Sequence, residues 1–463
     1  MEEKRRIPKA FKFFNQSERD LTTGSISQSI WILAWPMMVG NVLQTAFNVV
    51  DMIFVGKLGA EAIAAVSLSG MILMLIITLI VGIGIGTTAM VARFIGAKEY
   101  FRANEVALQS LLFGGIASIF LAVVGFFFSE PLLKIFGAEA KVVELGTDYL
   151  SIMFLGSFTM FLLFLGSAIL RGAGDALTPM LILMFSTLIN IVADPLLIFG
   201  LGPFPRLEIK GAAIATIIAR GIGMFIILAI LLKGHSYIHI TLKNLKLKFD
   251  LLWRIIKIAI PGSLQMAIRS ISGLVIMSIA VIYGTYALAA YGIGLRINMI
   301  VMMPGFGLGA ATATLVGQNL GAKQPQRAEK SAWLALIYYE AIMILVGSLF
   351  YLFAPKIIYI FNNNPEVIQE GASFLRIVVF SYIFLAMGIV LHQSLHGAGD
   401  TVPPMIITAI SLLGIRIPLA LFLPKLLLLD TIGLWLAIAL STVLEGSVVA
   451  FWFKAGRWKK KKI

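Results

Sequence analysis

Long apolar runs separated by short polar turns dominate the chain between about residues 28 and 454. An α-helix needs about 20 apolar residues to cross the hydrocarbon core of a bilayer. Turns rich in glycine or proline, such as those at 172–175 and 202–205, separate successive runs. The pattern therefore predicts an all-α polytopic membrane protein with twelve transmembrane helices, at 28–55, 60–92, 105–129, 144–170, 177–200, 211–233, 252–283, 286–318, 330–354, 368–395, 403–425 and 432–454.

Composition supports this interpretation, because 59% of the 463 residues are hydrophobic and only 13% are charged. Soluble proteins carry about one quarter charged residues, which coat each compact core. The net charge of +14 does not indicate a nucleic-acid partner, since the basic residues lie in tails and short loops between apolar runs. With no cysteine and four scattered histidines, we expect no disulfide, no thiolate metal site and no cofactor.

The basic residues also predict the orientation of the chain. Of 37 lysines and arginines, 25 lie in or beside the two tails and the even-numbered loops, and seven lie in the odd-numbered loops. By the positive-inside rule both termini are cytoplasmic, and the Lys459–Lys462 run is interpreted as a topology anchor in a cell-membrane protein. The predicted segments are a cytoplasmic tail at 1–27, a six-helix lobe at 28–233, a cytoplasmic linker at 234–251, a second six-helix lobe at 252–454, and a basic cytoplasmic tail at 455–463.

The second half of the chain repeats the first at a constant offset. Paired motifs lie 225 residues apart, and past residue 200 the offset falls to 222, as for Gly211 and Gly433. The pairs at 225 include Gly96 with Gly321, Arg171–Asp175 with His396–Asp400, Phe136 with Phe361, Gly146 with Gly371, Pro179 with Pro404, and Pro36 with Pro261. Six helices per repeat give two parallel repeats, an arrangement that places a substrate site between two lobes. The repeat therefore favours a transporter, with helix bends at the paired prolines Pro36 and Pro261.

Two carboxylates within apolar runs occur in only one repeat. Asp51 has Ile276 as its counterpart, and Asp194 has Leu419. Both aspartates lie about five or six residues before the glycine that ends their span, which predicts a similar depth in the outer half of the bilayer. Asn190 lies one helical turn before Asp194 on the same face. Because a carboxylate in the membrane must take up a proton or bind a cation, these residues form a candidate coupling site for protons or sodium.

Other polar residues have simpler interpretations. Asp175 and Asp400 are expected to form turns and cap the following helix rather than bind ligands. Glu340 and Glu445 are expected to pair with arginines that hold helices together, and Arg220 is expected to snorkel near a cytoplasmic helix end. The pattern leaves open the roles of four further arginines within apolar runs, Arg269, Arg296, Arg376 and Arg416.

The order of several motifs resembles the multidrug and toxic compound extrusion (MATE) family, in its DinF-like branch. Besides Pro36, the resembling segments are Asp20–Ile26, Val50–Gly56, Ile169–Asp175, Asn190–Pro195 and Gly211–Thr216. The resemblance implies a V-shaped pair of six-helix bundles that exports amphipathic, often cationic compounds in exchange for protons or sodium. It implies Asp51, Asn190, Asp194 and Thr216 as coupling residues, with sodium as the only metal expected, at the first three. Gln44, Phe47 and Asn48 are candidates for the substrate cavity, and the transporter is expected to function as a monomer.

Two alternatives stay open beside this multidrug efflux antiporter. A lipid-linked sugar flippase of the same superfamily would carry more basic groups in its cavity, as Arg269, Arg296 and Arg416 could provide. An intramembrane enzyme is disfavoured, because no Ser/His or His-Glu-x-x-His pair lies within a span. Span 7 has no acidic residue after Pro261, which supports the DinF-like branch, and Phe47 stands where some members of that branch carry a tyrosine.

Overall fold

The computed structural model describes residues 20–234, 237–241, 246–426, 430–461 and 463. The predicted tails and linker lie partly outside these residues. The helices are α1 (Ile26–Gly56), α2 (Ala60–Gly96), α3 (Tyr100–Ile135), α4 (Ala140–Leu155), α5 (Ser157–Ala173), α6 (Leu177–Phe199), α7 (Glu208–Lys233), α8 (Phe249–Ile282), α9 (Thr285–Gly321), α10 (Pro325–Tyr359), α11 (Pro365–Val378), α12 (Tyr382–Gly397), α13 (Val402–Ala409), α14 (Ile417–Leu426) and α15 (Asp430–Lys454).

The prediction of twelve spans is confirmed in the described residues. Eleven helical segments are long and apolar enough to cross a bilayer, and the pair α4 and α5, bent by 48°, forms the twelfth. Spans 1 to 3 are α1 to α3, span 4 is α4 with α5, and spans 5 to 9 are α6 to α10. Span 10 is α11 with α12, span 11 runs from α13 through a π-helix at 410–416 to α14, and span 12 is α15.

Local sequence explains where several helices begin and end. Ser25 caps α1, and the Asn364 side chain accepts hydrogen bonds from two backbone N–H groups of α11. Gly174 and Gly200 follow α5 and α6 with φ of 97° and 71°, a left-handed conformation that glycine adopts without strain. The bend at Gly156 was not predicted. A Cβ there would lie 2.2 Å from the Ile217 side chain, so glycine allows α7 to approach the bend closely.

The buried hydrophobic residues form two clusters, and each cluster includes half of one helix from the other repeat. The first half of α1, including Ile30 and Leu33, packs in the cluster built mainly by the second repeat. The first half of α8, including Ile255 and Ala259, packs in the cluster of the first repeat. Pro36 and Pro261, both buried, lie near the points where the two helices pass from one core to the other. We call the two halves of the molecule the N lobe (spans 1–6) and the C lobe (spans 7–12).

The lobes meet through glycines on the halves of α2 and α9 that adjoin the predicted cytoplasmic side. A Cβ on Gly86 would lie 2.8 Å from the Ile255 carbonyl oxygen, and a Cβ on Gly96 would lie 1.9 Å from that of Gln318. Residues 80–96 of α2 and 305–321 of α9 are almost wholly buried, whereas the preceding halves of both helices carry many exposed side chains. The lobes are therefore closed at one end and separated at the other.

Hydrogen bonds strengthen the closed end. Gln318 Nε2 donates to the Gly172 carbonyl (3.0 Å), and Ser263 Oγ donates to the Thr78 carbonyl (3.1 Å). The C-terminal segment crosses the same surface. The Arg93 guanidinium of the N lobe donates to the Lys461 carbonyl, while the Lys461 ammonium pairs with Asp400 of the C lobe at 3.0 Å. The interpretation of this lysine run as a topology anchor alone was therefore incomplete.

The glycine contacts predict a difference between two substitutions in α2. Gly96→Ala places a methyl group against the Gln318 backbone and should lower the free energy of unfolding by ~1–3 kcal/mol through overpacking. Gly70→Ala is the control, because a Cβ there meets nothing within 4 Å and alanine favours the helix interior. Thermal unfolding in detergent should show a lower melting temperature for Gly96→Ala only; equal melting temperatures would contradict the proposed packing.

Candidate functional site

Three of the predicted coupling residues lie in the interior of the N lobe. Asp51 is 8% exposed on α1, and Asn190 and Asp194 are fully buried on α6. Asn190 Nδ2 donates to Asp194 Oδ1 at 3.0 Å, across the single helical turn that the sequence spacing predicts. Asp51 interacts electrostatically with Asp194, and α1 packs along α6. The two carboxylates therefore face one small region between spans 1 and 5.

Thr216 of α7 lies level with this region. Gly211 contacts the backbone of Leu197, and Gly223 contacts Ser186, so α6 and α7 run antiparallel in close contact. Thr216 falls between these two contacts, opposite the turn from Asn190 to Asp194. Its side chain is 2% exposed.

All four predicted coupling residues carry a buried oxygen that has no hydrogen-bond partner among the residues the structure describes. These atoms are Asp51 Oδ1, Asn190 Oδ1, Asp194 Oδ2 and Thr216 Oγ1. A buried polar atom left unpaired is costly, and such atoms are uncommon in folded proteins. Oxygens of carboxylates, amides and hydroxyls are suited to bind a small hard cation, and the carboxylates can instead take up protons.

Two neighbours of these carboxylates were not predicted from the sequence. Arg220 lies in the middle of α7, with its guanidinium carbon 5.5 Å from the centre of the Phe47 ring, and it interacts electrostatically with Asp51. The expectation that Arg220 snorkels at a helix end is wrong, and its position in the middle of an apolar run was the available signal. Tyr149 of α4, 5% exposed, interacts with Asp51, Asp194 and Arg220.

The candidate cavity residues on α1 divide into two environments. Gln44 and Asn48 are exposed and lie one turn apart, and Asn41 and Thr45 extend the same polar face. Phe47 is 3% exposed beneath Arg220, so its ring packs inside the N lobe in this conformation. This polar face of α1 is directed away from the core of the N lobe and carries groups that can form hydrogen bonds.

The C lobe contains a polar network of its own. Arg269 Nη2 of α8 donates to Glu445 Oε1 of α15 at 2.6 Å, which confirms the predicted arginine pair for Glu445. Thr408 donates to the same oxygen at 2.9 Å, and Gln265 donates to Thr408. Buried carboxyl chemistry is therefore not confined to the N lobe, although the C-lobe carboxylate, unlike Asp51 and Asp194, has an ion-pair partner.

Glu340 and the two turn aspartates differ in outcome. Asp400 Oδ1 pairs with Lys461 at 3.0 Å, and among the described residues its side chain accepts no hydrogen bond from the start of α13, so its predicted capping role is wrong. In the described part of the chain Glu340 forms no ion pair, and its Oε1 is buried without a hydrogen bond, so the predicted arginine pair is wrong there. The arginine of α10 itself, Arg327, lies thirteen residues before Glu340, more than three helical turns away, and donates to the carbonyls of Thr23 and Gly24. Asp175 Oδ1 accepts the Thr178 N–H at 3.0 Å in the first turn of α6, which confirms its predicted turn role.

Two parallel six-helix lobes, closed at one end around a cleft and carrying unpaired buried carboxylates, define a membrane transporter. The MatE family model matches the chain twice, at residues 36–196 and 261–422. The two matches begin 225 residues apart, which confirms the internal repeat. The chain belongs to the MatE family of transporters, and it is not an enzyme.

Relatives extend the match over nearly the whole chain. The probable multidrug resistance protein YoeA of Bacillus subtilis is 30% identical, with 95% of this chain and 96% of that protein covered. The probable multidrug resistance protein NorM of Thermotoga maritima is 29% identical, with 93% of each chain covered. A crystal structure of MATE in the bent conformation superimposes with a TM-score of 0.88 at 29% identity, covering 94% of this chain and 96% of that one.

The C-lobe ion pair predicts an asymmetric response to mutation. Arg269→Met leaves Glu445 buried without its cation and should lower the free energy of unfolding by about 3 kcal/mol. The double variant Arg269→Met/Glu445→Met should recover most of that loss, because neither member of the broken ion pair is left behind. Arg254→Met is the control, since it removes an exposed pair with Asp250 worth less than about 1 kcal/mol. A double variant as unstable as Arg269→Met would contradict this account when unfolding is followed in detergent.

Proposed function

We propose that this protein is a secondary active multidrug efflux transporter of the cell membrane. It exchanges amphipathic, often cationic compounds for protons or sodium by alternating access, with both termini in the cytoplasm and one chain as the functional unit. The multidrug resistance names of its relatives support the substrate class. The single observation that carries ion coupling is the group of unpaired oxygens on Asp51, Asn190, Asp194 and Thr216.

The lobe arrangement supports one step of the transport cycle. Contacts between the lobes occupy the half of the molecule next to the termini, and the opposite halves of α2 and α9 are largely exposed. With cytoplasmic termini this is an outward-open state, from which substrate leaves and into which the coupling ion enters. The cation then reaches Asp51 and Asp194 from the outer side.

Neutralisation of the carboxylates links ion entry to the shape of the N lobe. With both ionised and no ion bound, Asp51 and Asp194 repel each other in a poorly solvated region. A proton or a sodium ion removes that repulsion and lets α1 pack more closely against α6. Pro36, on α1, marks a position where the helix lacks one backbone hydrogen bond and bends at low energy. The proposed movement of α1 is thus driven by charge and permitted by proline.

Transport in proteoliposomes tests the coupling residues. Gradient-driven efflux of a fluorescent cation should fall, in Asp51→Asn and in Asp194→Asn, to the rate measured without an imposed gradient. The reason is that neither amide can take up or release a proton or fully balance the charge of a sodium ion. Asp250→Asn, which removes an exposed carboxylate at the start of α8, should transport like the wild type. Undiminished efflux in both site variants would refute the coupling site.

The substitution Thr216→Val distinguishes sodium from protons as the coupling ion. The substitution keeps the side-chain shape and removes Oγ1, one of the unpaired oxygens. If sodium is the ion, the sodium concentration for half-maximal transport should rise by about tenfold for one lost oxygen ligand. If protons are the ion, the pH dependence of transport should match that of the wild type, because both carboxylates remain. Imposing pH and sodium gradients separately on each protein identifies the case; a variant unchanged in a sodium-driven assay would exclude Thr216 as a ligand.

A lipid-linked sugar flippase is the second candidate. The observation that favours it is the presence of Arg296 and Arg416 in the C lobe without ion-pair partners in the described residues. Arg269 supports it less, because Glu445 already neutralises that side chain. Translocation of a fluorescent lipid pyrophosphate in the same vesicles, without movement of the cationic dye, would decide for the flippase.

A further inference from the structure

Residues 457–461 and 463, which we call the C-terminal segment, lie against the closed end of the molecule beyond α15. Trp458 is fully buried, and its ring stacks on that of Phe453 with the centroids 4.6 Å apart. Its Nε1 donates to the Phe453 carbonyl at 2.8 Å. The next residue, Lys459, pairs with Glu329 of α10 at 2.6 Å. The first part of the segment is therefore anchored on the C lobe.

The second part of the segment contacts both lobes. The Lys461 ammonium pairs with Asp400 of the C lobe at 3.0 Å, and the carbonyl of the same residue accepts from the Arg93 guanidinium of the N lobe. Ile463 packs against the core of the first repeat, and a Cβ on Gly399 of the C lobe would lie 2.4 Å from its Cγ2. One short stretch of backbone thus joins α2 to the turn that precedes α13.

The internal repeat shows what this contact replaces. Gln318, the counterpart of Arg93 at the offset of 225, donates directly to the Gly172 carbonyl of the other lobe at 3.0 Å. The counterpart of Gly172 is Gly397, so an exact repeat would join Arg93 to the Gly397 carbonyl. Arg93 donates to the Lys461 carbonyl instead. At one of two equivalent crossings the lobes are therefore joined directly, and at the other they are joined through the C-terminal segment.

The ion pairs of the segment are partly shielded from water. The side chains of Lys459 and Glu329 are each 27% exposed, and those of Lys461 and Asp400 are 41% and 9% exposed. Salt screens such pairs less than it screens pairs on an open surface. The contacts are therefore stronger than those of a basic tail that lies free in solvent.

We infer that the C-terminal segment is a latch that holds the closed end shut, with Arg93 and Asp400 as its attachment points on the two lobes. Opening of this end separates these two residues, so one of the bonds to Lys461 must break first. Because the two bonds act in series, the loss of either one releases the latch. This role goes beyond the proposed function, of which it requires only that the closed end opens during the transport cycle.

A pair of spin labels measures the opening directly. The chain has no cysteine, so introduced thiols are the only sites that a label can modify. Phe101 and Gln326 are counterparts at the offset of 225, both exposed, in the first turns of α3 and α10 at the closed end. In Phe101→Cys/Gln326→Cys, pulsed electron spin resonance in lipid nanodiscs separates a short distance, for the closed state, from a long one, for the open state.

Variants of the two attachment points test the series arrangement. Arg93→Met and Asp400→Asn should each raise the ratio of open to closed molecules by about fivefold, because each removes one partly shielded charged contact. The double variant should raise the ratio no further than either single variant, since the latch is already released. Two independent contacts would instead give about 25-fold. Lys460→Gln is the matched control: it removes an exposed neighbouring charge that forms no ion pair among the described residues, and should change the ratio by less than about twofold.

A second label pair follows the segment with every latch contact intact. The distance from Lys460→Cys to Phe101→Cys should lengthen as the closed end opens, whereas the distance from Lys460→Cys to Gln326→Cys should stay constant, because Trp458 anchors the segment on the C lobe. A segment that moves with the N lobe, multiplied effects in the double variant, or an equal effect of Lys460→Gln would overturn the latch alone. If the long distance is absent from all variants at every pH and sodium concentration, the alternating access of the proposed function is overturned together with the latch.

Discussion

Close contact between helix backbones at one end of the molecule is the constraint on which the rest of the architecture depends. Within hydrocarbon there is no hydrophobic gain when helices meet, so their association relies on small residues and interhelical hydrogen bonds. Gly86, Gly96 and Gly317 supply such contacts between α2, α8 and α9, where an added Cβ would lie within 3 Å of a neighbouring atom. Because these contacts stop near the middle of the helices, the lobes diverge beyond them and leave a cleft whose walls must tolerate water and polar solutes.

The two lobes share one helical architecture but carry different charged residues. In the N lobe, Asp51 and Asp194 interact electrostatically with each other and form no ion pair within the described part of the chain, while Arg220 is near enough to influence Asp51. In the C lobe, Glu445 is bound by Arg269, and Arg416 donates to the neutral hydroxyls of Ser441 and Thr442. In the proposed function, ion uptake therefore resides in the N lobe, while the C lobe keeps its buried carboxylate paired with Arg269.

Much of this arrangement could be predicted from the sequence, because bilayer thickness fixes the length of each span and duplication repeats residues such as Pro36 and Pro261. Asp51 and Asp194 were recognisable since an acidic side chain in an apolar run is rare. The direction in which the Arg220 side chain points could not be predicted, because it depends on the rotation of α7 about its axis. Likewise, spacing alone does not decide which of several arginines pairs with Glu445, nor does it reveal the bend at Gly156, where Ile217 of α7 approaches the backbone closely.

The exchange of half-helices between the two cores has a consequence for how the protein is made. The first half of α1 completes its packing only when Ile276, Tyr291 and other residues of the second repeat are in the membrane. During synthesis Ile30 and Leu33 therefore lack these packing partners until α8 and α9 have been inserted into the membrane. Each repeat completes its core with half of a helix from the other, so a break in the chain between them would leave two fragments that each need the other to assemble.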